Sequence, residues 1–265
     1  MRGNDDKALY DYFVGEYTHH FDYWDWSYLE GRRVEMSTGK KQWDYTKTVQ
    51  AAMKQVRSVL DMRTGSGQVF AELLKEQPVA QAYATEGYAP NLARARQVLT
   101  PPGVTVYEVQ NDDLPFADND LELIINRHGS YDLREIRRVL KPDHLFITQQ
   151  VGDHTNRRIH ELLGRQKQPY TFVGVEQKPA WNLDYAVREM REVGWHIVEQ
   201  KEDFTVTRFY DGGAIVYYLK AIPWEVPDFS VEKYFDRLVE IHHLIQREGY
   251  VDVLFHTFFM IARKE

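Results

Sequence analysis

Residues 61–67 read Asp-Met-Arg-Thr-Gly-Ser-Gly and combine a carboxylate with two glycines in a predicted turn. Glycine lets the backbone approach a ligand closely, and the N-terminal N–H groups of a following helix attract anionic groups. Glu86 lies 25 residues after Asp61 and could accept two hydrogen bonds from a ribose diol. These residue types at this spacing predict a site for a nucleotide-containing ligand.

Two common nucleotide motifs do not fit this turn. A phosphate-binding loop requires GxxxxGK[ST], which the sequence lacks. A dinucleotide-binding GxGxxG motif starting at Gly65 would place its third glycine at position 70, which is Phe70. An acidic residue followed by a glycine-rich turn is what remains.

A second polar group, Asn126-Arg127-His128, follows the fourth strand of the predicted sheet. His128 could act as a general base, because an unperturbed histidine has a pKa of ~6.5. The alternative is a hydrogen-bonded histidine in a tight turn. The adjacent pairs His19-His20 and His242-His243 do not have the spacing of metal ligands, so no metal site is predicted.

The elements that must position these residues alternate between strand and helix. The sequence predicts strands in or near residues 58–61, 82–85, 104–109, 121–126 and 144–151, separated by helices over 65–76, 90–99 and 131–140. This alternation predicts an α/β doubly wound, Rossmann-like parallel sheet, in which ligands bind at the carboxyl ends of the strands. Residues that directly follow each strand are therefore the candidates for function.

Composition excludes several classes of protein and site. The chain has 265 residues, a net charge of −7 and 43% hydrophobic residues, which support a folded core and disfavour a nucleic-acid partner. It has no cysteine, so disulfides, thiol nucleophiles and cysteine-based metal sites are excluded. No apolar run reaches 18 residues and no leader is visible, so we expect a cytoplasmic protein without a membrane partner.

Four segments resemble class I S-adenosylmethionine-dependent methyltransferases. They are VLDMRTGSGQVFAELL, YATEGYAPNLARA, DDLPFADNDLELIINRH and EIRRVLKPDHLFITQQV, and they cover roughly residues 56–152. The order of the segments is similar to the branch with LPF and RVLKPGG turns, and DGGAIVYYLKAIPW resembles an uncharacterised bacterial methyltransferase-like group. The resemblance implies a seven-stranded sheet whose last strand is antiparallel, with the sixth and seventh strands near 196–206 and 253–262.

The same resemblance implies S-adenosylmethionine as cofactor and assigns site residues. Asp61, Gly65 and Gly67 are implied for the methionine part, Glu86 for the ribose, and Asp112 or Asp113 for the adenine. The further residues expected to bind the cofactor are Met62, Arg63, Thr64, Gly87 and Asn126. Asn126 is placed beneath the transferred methyl, and His128 with Asn126 are the candidate catalytic residues.

Two positions depart from the family pattern. The pattern D-x-G-x-G-x-G places a glycine where this chain has Arg63, and KPGG is replaced here by Lys141-Pro142-Asp143-His144. Arg63 could pair with the methionine carboxylate of the cofactor, or it could fill the pocket. The second departure is a substitution within a turn.

The remaining chain is interpreted as a cap and insertions. We expect a cap segment over 1–45 and a methyltransferase domain over 46–265, with insertions at about 153–180 and 208–250. Residues 1–45 are interpreted as irregular and rich in aromatic residues, namely Tyr17, Phe21, Tyr23, Trp24, Trp26 and Tyr28. This cluster could form part of a substrate pocket or simply contribute to the core.

The sequence thus predicts methyl transfer from S-adenosylmethionine to a small molecule, by a monomer or homodimer. The alternative is a degenerate methyltransferase fold that has lost catalysis and binds a ligand or a partner. The resemblance does not identify the methyl acceptor.

Overall fold

The computed structural model of the chain describes residues 4–21, 25–36, 42–111, 113–167 and 180–265. Its helices are α1 (Asn4–Thr18), α2 (Tyr45–Met53), α3 (Gln68–Glu76), α4 (Ala89–Leu99), α5 (Leu133–Val139), α6 (Arg157–Leu162), α7 (Leu183–Glu192), α8 (Gly212–Ala221) and α9 (Val231–Glu248). Its strands are β1 (Arg33–Met36), β2 (Ser58–Met62), β3 (Gln81–Glu86), β4 (Thr105–Glu108), β5 (Leu121–Arg127), β6 (Leu140–Val151), β7 (Trp195–Phe209) and β8 (Val251–Lys264). Within these ranges, no helix combines the length and apolar character needed to span a bilayer.

The strands form a sheet in the order β1-β7-β8-β6-β5-β2-β3-β4. Parallel pairs join β2 with β3 and β5, β3 with β4, and β5 with β6, whereas β8 is antiparallel to β6. The predicted Rossmann-like α/β fold with an antiparallel last strand is confirmed. Among the described residues the sheet has eight strands rather than seven, because β1, inside the predicted cap segment, pairs antiparallel with residues 206–209 of β7.

The central strands are buried on both faces, as a doubly wound sheet requires. On β5, Leu123 and Ile125 belong to one apolar core, and Ile124 between them belongs to a second core on the opposite face. The first core also contains Val59, and the second contains Leu60, their neighbours on the adjacent strand β2. Because side chains alternate along a strand, this apolar run supports helices on both sides of the sheet.

The described residues fall into two compact units. The sheet unit contains the described residues of 42–152, 180–203 and 257–265. The helical unit contains those of 4–36, 153–167 and 204–256. The division into a cap over 1–45 and a domain with two insertions stays a prediction.

The helical unit is organised around one apolar core and an ion-pair network. Arg32 donates to the carboxylates of Glu16 on α1 and Asp211, at 2.8 and 2.7 Å. Asp211 also caps α8 by accepting from the N–H of Ala214 at 2.7 Å. The interpretation of residues 1–45 as irregular was wrong for α1, whose buried Phe13 packs into this core.

Candidate functional site

The predicted site residues of the sheet unit lie at the ends of adjacent parallel strands. Leu60 and Asp61 on β2 pair with Ile124 and Ile125 on β5, and Met62 pairs with Asn126. Asp61 also pairs with Ala84 on β3, two residues before Glu86. The sheet register therefore brings the turns that follow β2, β3 and β5 to one edge.

Asp61 is a buried carboxyl group whose pKa is raised towards neutral pH. It is 7% exposed, and the hydroxyl of Thr64 donates to its Oδ2 at 2.6 Å. Burial raises the pKa of Asp61 to about 7, an effect that the Thr64 hydrogen bond opposes and the negative charge of Glu86 reinforces. Near pH 7 this group therefore exists in both protonation states.

Glu86 links the turn after β2 to the turn after β3. Its Oε2 accepts from the N–H of Gly65 at 2.9 Å, and its Oε1 accepts from the N–H groups of Gly87 and Tyr88, both at 2.8 Å. A carboxylate oxygen offers two lone pairs, so Oε1 is fully used and Oε2 retains one. Glu86 can therefore accept one further strong hydrogen bond, not the two that a ribose diol would offer.

The glycine turn has the backbone conformation and the space that a ligand needs. Gly65 and Gly67 have φ values of +64° and +79°, in the left-handed region that favours glycine. A Cβ at Gly65 would meet no described atom within 4 Å, whereas one at Gly67 would lie 2.8 Å from Leu99. Gly65 therefore borders open space, and Gly67 allows α3 to pack closely against α4.

Arg63 also adopts a left-handed conformation, with φ +56°, at the position where the related pattern has glycine. Its backbone N–H donates to the Thr85 hydroxyl at 3.2 Å, and its Nη2 donates to the carbonyl of Gln110 at 3.3 Å. A Cβ added to Gly129 would fall 2.6 Å from Arg63 Cβ, and one added to Gly87 would fall 3.0 Å from Nη1. The side chain thus runs over the strand ends towards the turn predicted to hold adenine.

The adenine turn itself is only partly described. Asp112 lies outside the described residues, so the choice between Asp112 and Asp113 stays a prediction. Asp113 is exposed, and its carboxylate accepts from the side-chain amide of Asn111 at 2.6 Å. Leu114 is buried in the core, 4% exposed.

Two other predicted residues face the protein rather than open space. Met62 is 1% exposed, and its backbone carbonyl accepts from Nδ2 of Asn126 at 3.1 Å. Oδ1 of Asn126, which is fully buried, accepts from Gln150 at 2.6 Å and Thr148 at 3.2 Å. The amide of Asn126 is thus used inside the protein and holds the end of β5 against β2 and β6; its assignment as a catalytic and cofactor residue stays a prediction.

His128 lies in a tight turn with φ +60°, and its Nε2 is 3.0 Å from Nε2 of Gln149. Burial lowers the pKa of His128 to about 3, and the positive charge of Arg127 acts in the same direction. The imidazole is therefore neutral at pH 7 and a weak proton acceptor. This geometry favours the tight-turn alternative over a general base.

The aromatic cluster of the N-terminal segment belongs to the helical unit. Tyr17, Phe21, Trp26 and Tyr28 pack on the apolar core of that unit, and Tyr23 and Trp24 lie outside the described residues. A cavity of about 360 Å³ is lined by His19, His20, Asp25, Ser27, Tyr28 and Tyr217. Packing on the core agrees with the structural alternative for this cluster, and the cavity leaves the substrate alternative open.

Comparison with known proteins identifies a similarity in the central part of the sheet unit. Residues 60–148 match the sequence profile of a family described as a methyltransferase domain. This part of the chain is therefore similar to methyltransferase domains. None of the curated proteins matches the sequence significantly.

Solved structures share the fold of this chain at low sequence identity. A proposed methyltransferase from Bacillus halodurans C-125 is 15% identical with a TM-score of 0.55, over 82% of this chain and 99% of that chain. A proposed sarcosine dimethylglycine methyltransferase from Galdieria sulphuraria is 17% identical with a TM-score of 0.51, over 83% and 82%. The [4+2]-cyclase SpnF is 14% identical with a TM-score of 0.50, over 87% and 86%. Sequence identities this low show that the fold is similar and nothing more.

The similarity to methyltransferase domains implies S-adenosylmethionine as cofactor, and two groups at the strand ends fit it. Gly65 borders open space, and Glu86 retains one acceptor position. Tyr45, the first residue of α2, is 5% exposed, and its hydroxyl has no hydrogen-bond partner among the described residues. Asp61 is close enough for its charge to raise the pKa of Tyr45, after the larger effect of burial. A buried hydroxyl near Asp61 without a described partner fits a donor to a cofactor oxygen.

Sequence reasoning missed Tyr45, Trp43 and Gln149 in the sheet unit. Trp43 donates through Nε1 to Oε1 of Gln149 at 2.7 Å, and both residues are buried. The run Thr148-Gln149-Gln150 at the end of an apolar strand was a usable signal, because buried polar residues need partners. Trp43 and Tyr45 gave no comparable signal, since they precede β2 by more than ten residues.

Proposed function

We propose that this chain transfers the methyl group of S-adenosylmethionine to a small-molecule acceptor. The observation that carries the proposal is the hydrogen bond that joins the open Gly65 turn to the Glu86 carboxylate at the ends of β2 and β3. It is supported by the Tyr45 hydroxyl, which has no partner among the described residues and lies close enough to Asp61 to respond to its charge. Net charge of −7 supports a small acceptor over a nucleic acid.

In this proposal the chain's own residues bind and orient. The Gly65 turn receives the methionine part, Glu86 accepts one ribose hydroxyl, and Tyr45 donates from its hydroxyl to a cofactor oxygen. When bound, S-adenosylmethionine would supply an electrophilic methyl group on a sulfonium, and these residues would hold that methyl group in line with a lone pair of the acceptor. The sulfonium supplies a good leaving group, so alignment and exclusion of water contribute most of what the protein must add.

A second candidate, a ligand-binding protein without methyl transfer, is favoured by Arg63. Its guanidinium lies at the turn assigned to adenine, where it occupies space that a cofactor would need. SpnF shows in its printed name that this fold also serves another reaction.

Titration of the purified chain with S-adenosylmethionine and S-adenosylhomocysteine, by calorimetry and thermal unfolding, tests the proposal. Binding to the native state must raise the melting temperature. Absence of heat and of any shift at millimolar ligand rejects the cofactor and favours the second candidate. Binding followed by no turnover of labelled methyl, across a panel of small acceptors and RNA, would also favour it.

A further inference from the structure

The hydrogen bonds of Trp43 and Gln149 bear on which ring nitrogen of His128 carries the hydrogen. The indole Nε1 of tryptophan can only donate a hydrogen bond, and here it lies 2.7 Å from the Gln149 side-chain oxygen. The reverse orientation of the amide would place its NH₂ group against the indole N–H. Hydrogen-bond chemistry therefore fixes the amide, with its oxygen towards Trp43 and its NH₂ towards His128.

The fixed amide leaves His128 only one tautomer. Nε2 of His128 lies 3.0 Å from Nε2 of Gln149, which is a donor in this orientation. The imidazole Nε2 must then accept, so it carries a lone pair and the ring hydrogen is on Nδ1. A proton on Nε2 would face an N–H group of the amide, which disfavours both the other tautomer and the imidazolium.

Both partners are held firmly enough to impose this choice. Trp43 is 6% exposed and stacks on Phe259 with ring centroids 5.8 Å apart. Gln149 is 7% exposed, and its backbone carbonyl accepts from the N–H of His128 at 2.8 Å. The side-chain and backbone bonds together fix the histidine turn at the end of β5.

We propose that Trp43 and Gln149 are positioning residues that keep His128 neutral with its hydrogen on Nδ1, so that the turn after β5 carries a fixed imidazole N–H donor. This inference does not rest on the proposed function.

Ring-¹⁵N-labelled histidine in the full chain tests the tautomer directly. Long-range ¹H–¹⁵N spectra at pH 7 should show a protonated, pyrrole-type Nδ1 and a pyridine-type Nε2 for His128, whose signals are identified by their loss in His128→Gln. A protonated Nε2 in the wild-type chain overturns the inference. Because no cofactor is needed, failure of methyl transfer would reject the proposed function and leave this result standing.

Two variants should change the tautomer, and one matched variant should not. Gln149→Glu places an acceptor oxygen against His128, so Nε2 should become protonated. Trp43→Phe removes the donor that orients the amide, so the fraction with Nδ1–H should fall. Trp195→Phe removes another buried indole, which donates to the Leu133 carbonyl at 3.4 Å, and should leave His128 unchanged. Unchanged signals in both Gln149→Glu and Trp43→Phe overturn the inference.

Discussion

The guanidinium of Arg63 reaches the backbone carbonyl of Gln110, with Nη2 and O 3.3 Å apart. Arg63 starts from a left-handed backbone conformation after β2 and ends at the residues that follow β4. The side chain therefore passes over the strand ends at which the cofactor is predicted to bind.

Replacing Arg63 with glycine should strengthen the binding of S-adenosylhomocysteine by roughly tenfold, which corresponds to ~1.4 kcal/mol. The substitution empties the space beside Gly87 and Gln110. Asp143→Gly is the matched control, because Asp143 also has a left-handed backbone, with φ +62°. Both variants relieve backbone strain, so only the calorimetric affinity distinguishes them. Weaker binding in Arg63→Gly would mean that the guanidinium holds the cofactor instead.

Tyr45→Phe should weaken cofactor binding by about 0.5–1.5 kcal/mol, the usual value of one hydrogen bond. The free energy of unfolding without ligand should not fall, because the hydroxyl has no described partner to lose. Tyr131→Phe is the control: its hydroxyl is also buried and unpartnered, and its ring packs on Phe146. Equal affinities in the two variants, measured by calorimetry, would place Tyr45 outside the site.

Glu86→Ala should lower the free energy of unfolding by about 3 kcal/mol even without ligand, since it leaves three backbone N–H groups without their acceptor. Glu76→Ala, at an exposed position on α3, is the control and should have little effect. Urea unfolding measures both. A stability loss confined to the ligand-bound protein would show that the carboxylate does not hold the turns.

Asp61 should make the protein less stable as the pH rises from about 4 to about 7. The pKa of Asp61 is raised to about 7 in the folded chain, and an unfolded aspartate has a pKa of ~3.9, so in this window the folded state binds more protons. The loss is at most about 4 kcal/mol.

Asp61→Asn should lack this loss, so the difference in unfolding free energy between variant and wild type should grow with pH. Comparison of the two chains cancels His128, whose lowered pKa of about 3 acts with the opposite sign below pH 6.5. Urea unfolding between pH 4.5 and 7.5 measures the difference. Parallel curves for the two chains would mean that Asp61 titrates normally.

The sheet could be predicted because its strands carry local signals. Apolar runs such as Leu121–Ile125, bounded by turn residues, predicted strands that the structure contains. The antiparallel last strand came from the family resemblance, because pairing of β8 with β6 depends on contacts between residues over 100 positions apart. Strand β1 was not predicted, since it has only four residues and their burial does not alternate as it does in a typical half-buried strand.

The sequence predicted where the residues of the candidate site lie along the chain, but it did not predict their hydrogen-bond partners. The turn after β2 and the acid after β3 could be located because both follow buried strands. Residue types and their spacing do not reveal that Glu86 accepts hydrogen bonds from backbone N–H groups. Nor do they reveal that the side-chain oxygen of Asn126 accepts from Gln150 and Thr148. Trp43 meets Gln149 across 106 positions, and only the folded chain brings them together.

The bond from the Gly65 N–H to Glu86 also affects how fast a ligand can bind. Because the Glu86 carboxylate already orders this turn, ligand binding does not require a loop to become ordered first. Association should then follow a single exponential whose rate rises linearly with ligand concentration, without the plateau that a slow rearrangement imposes. Because the turn is already ordered, ligands should differ mainly in their dissociation rate constants. A ligand that fits the site poorly should dissociate faster.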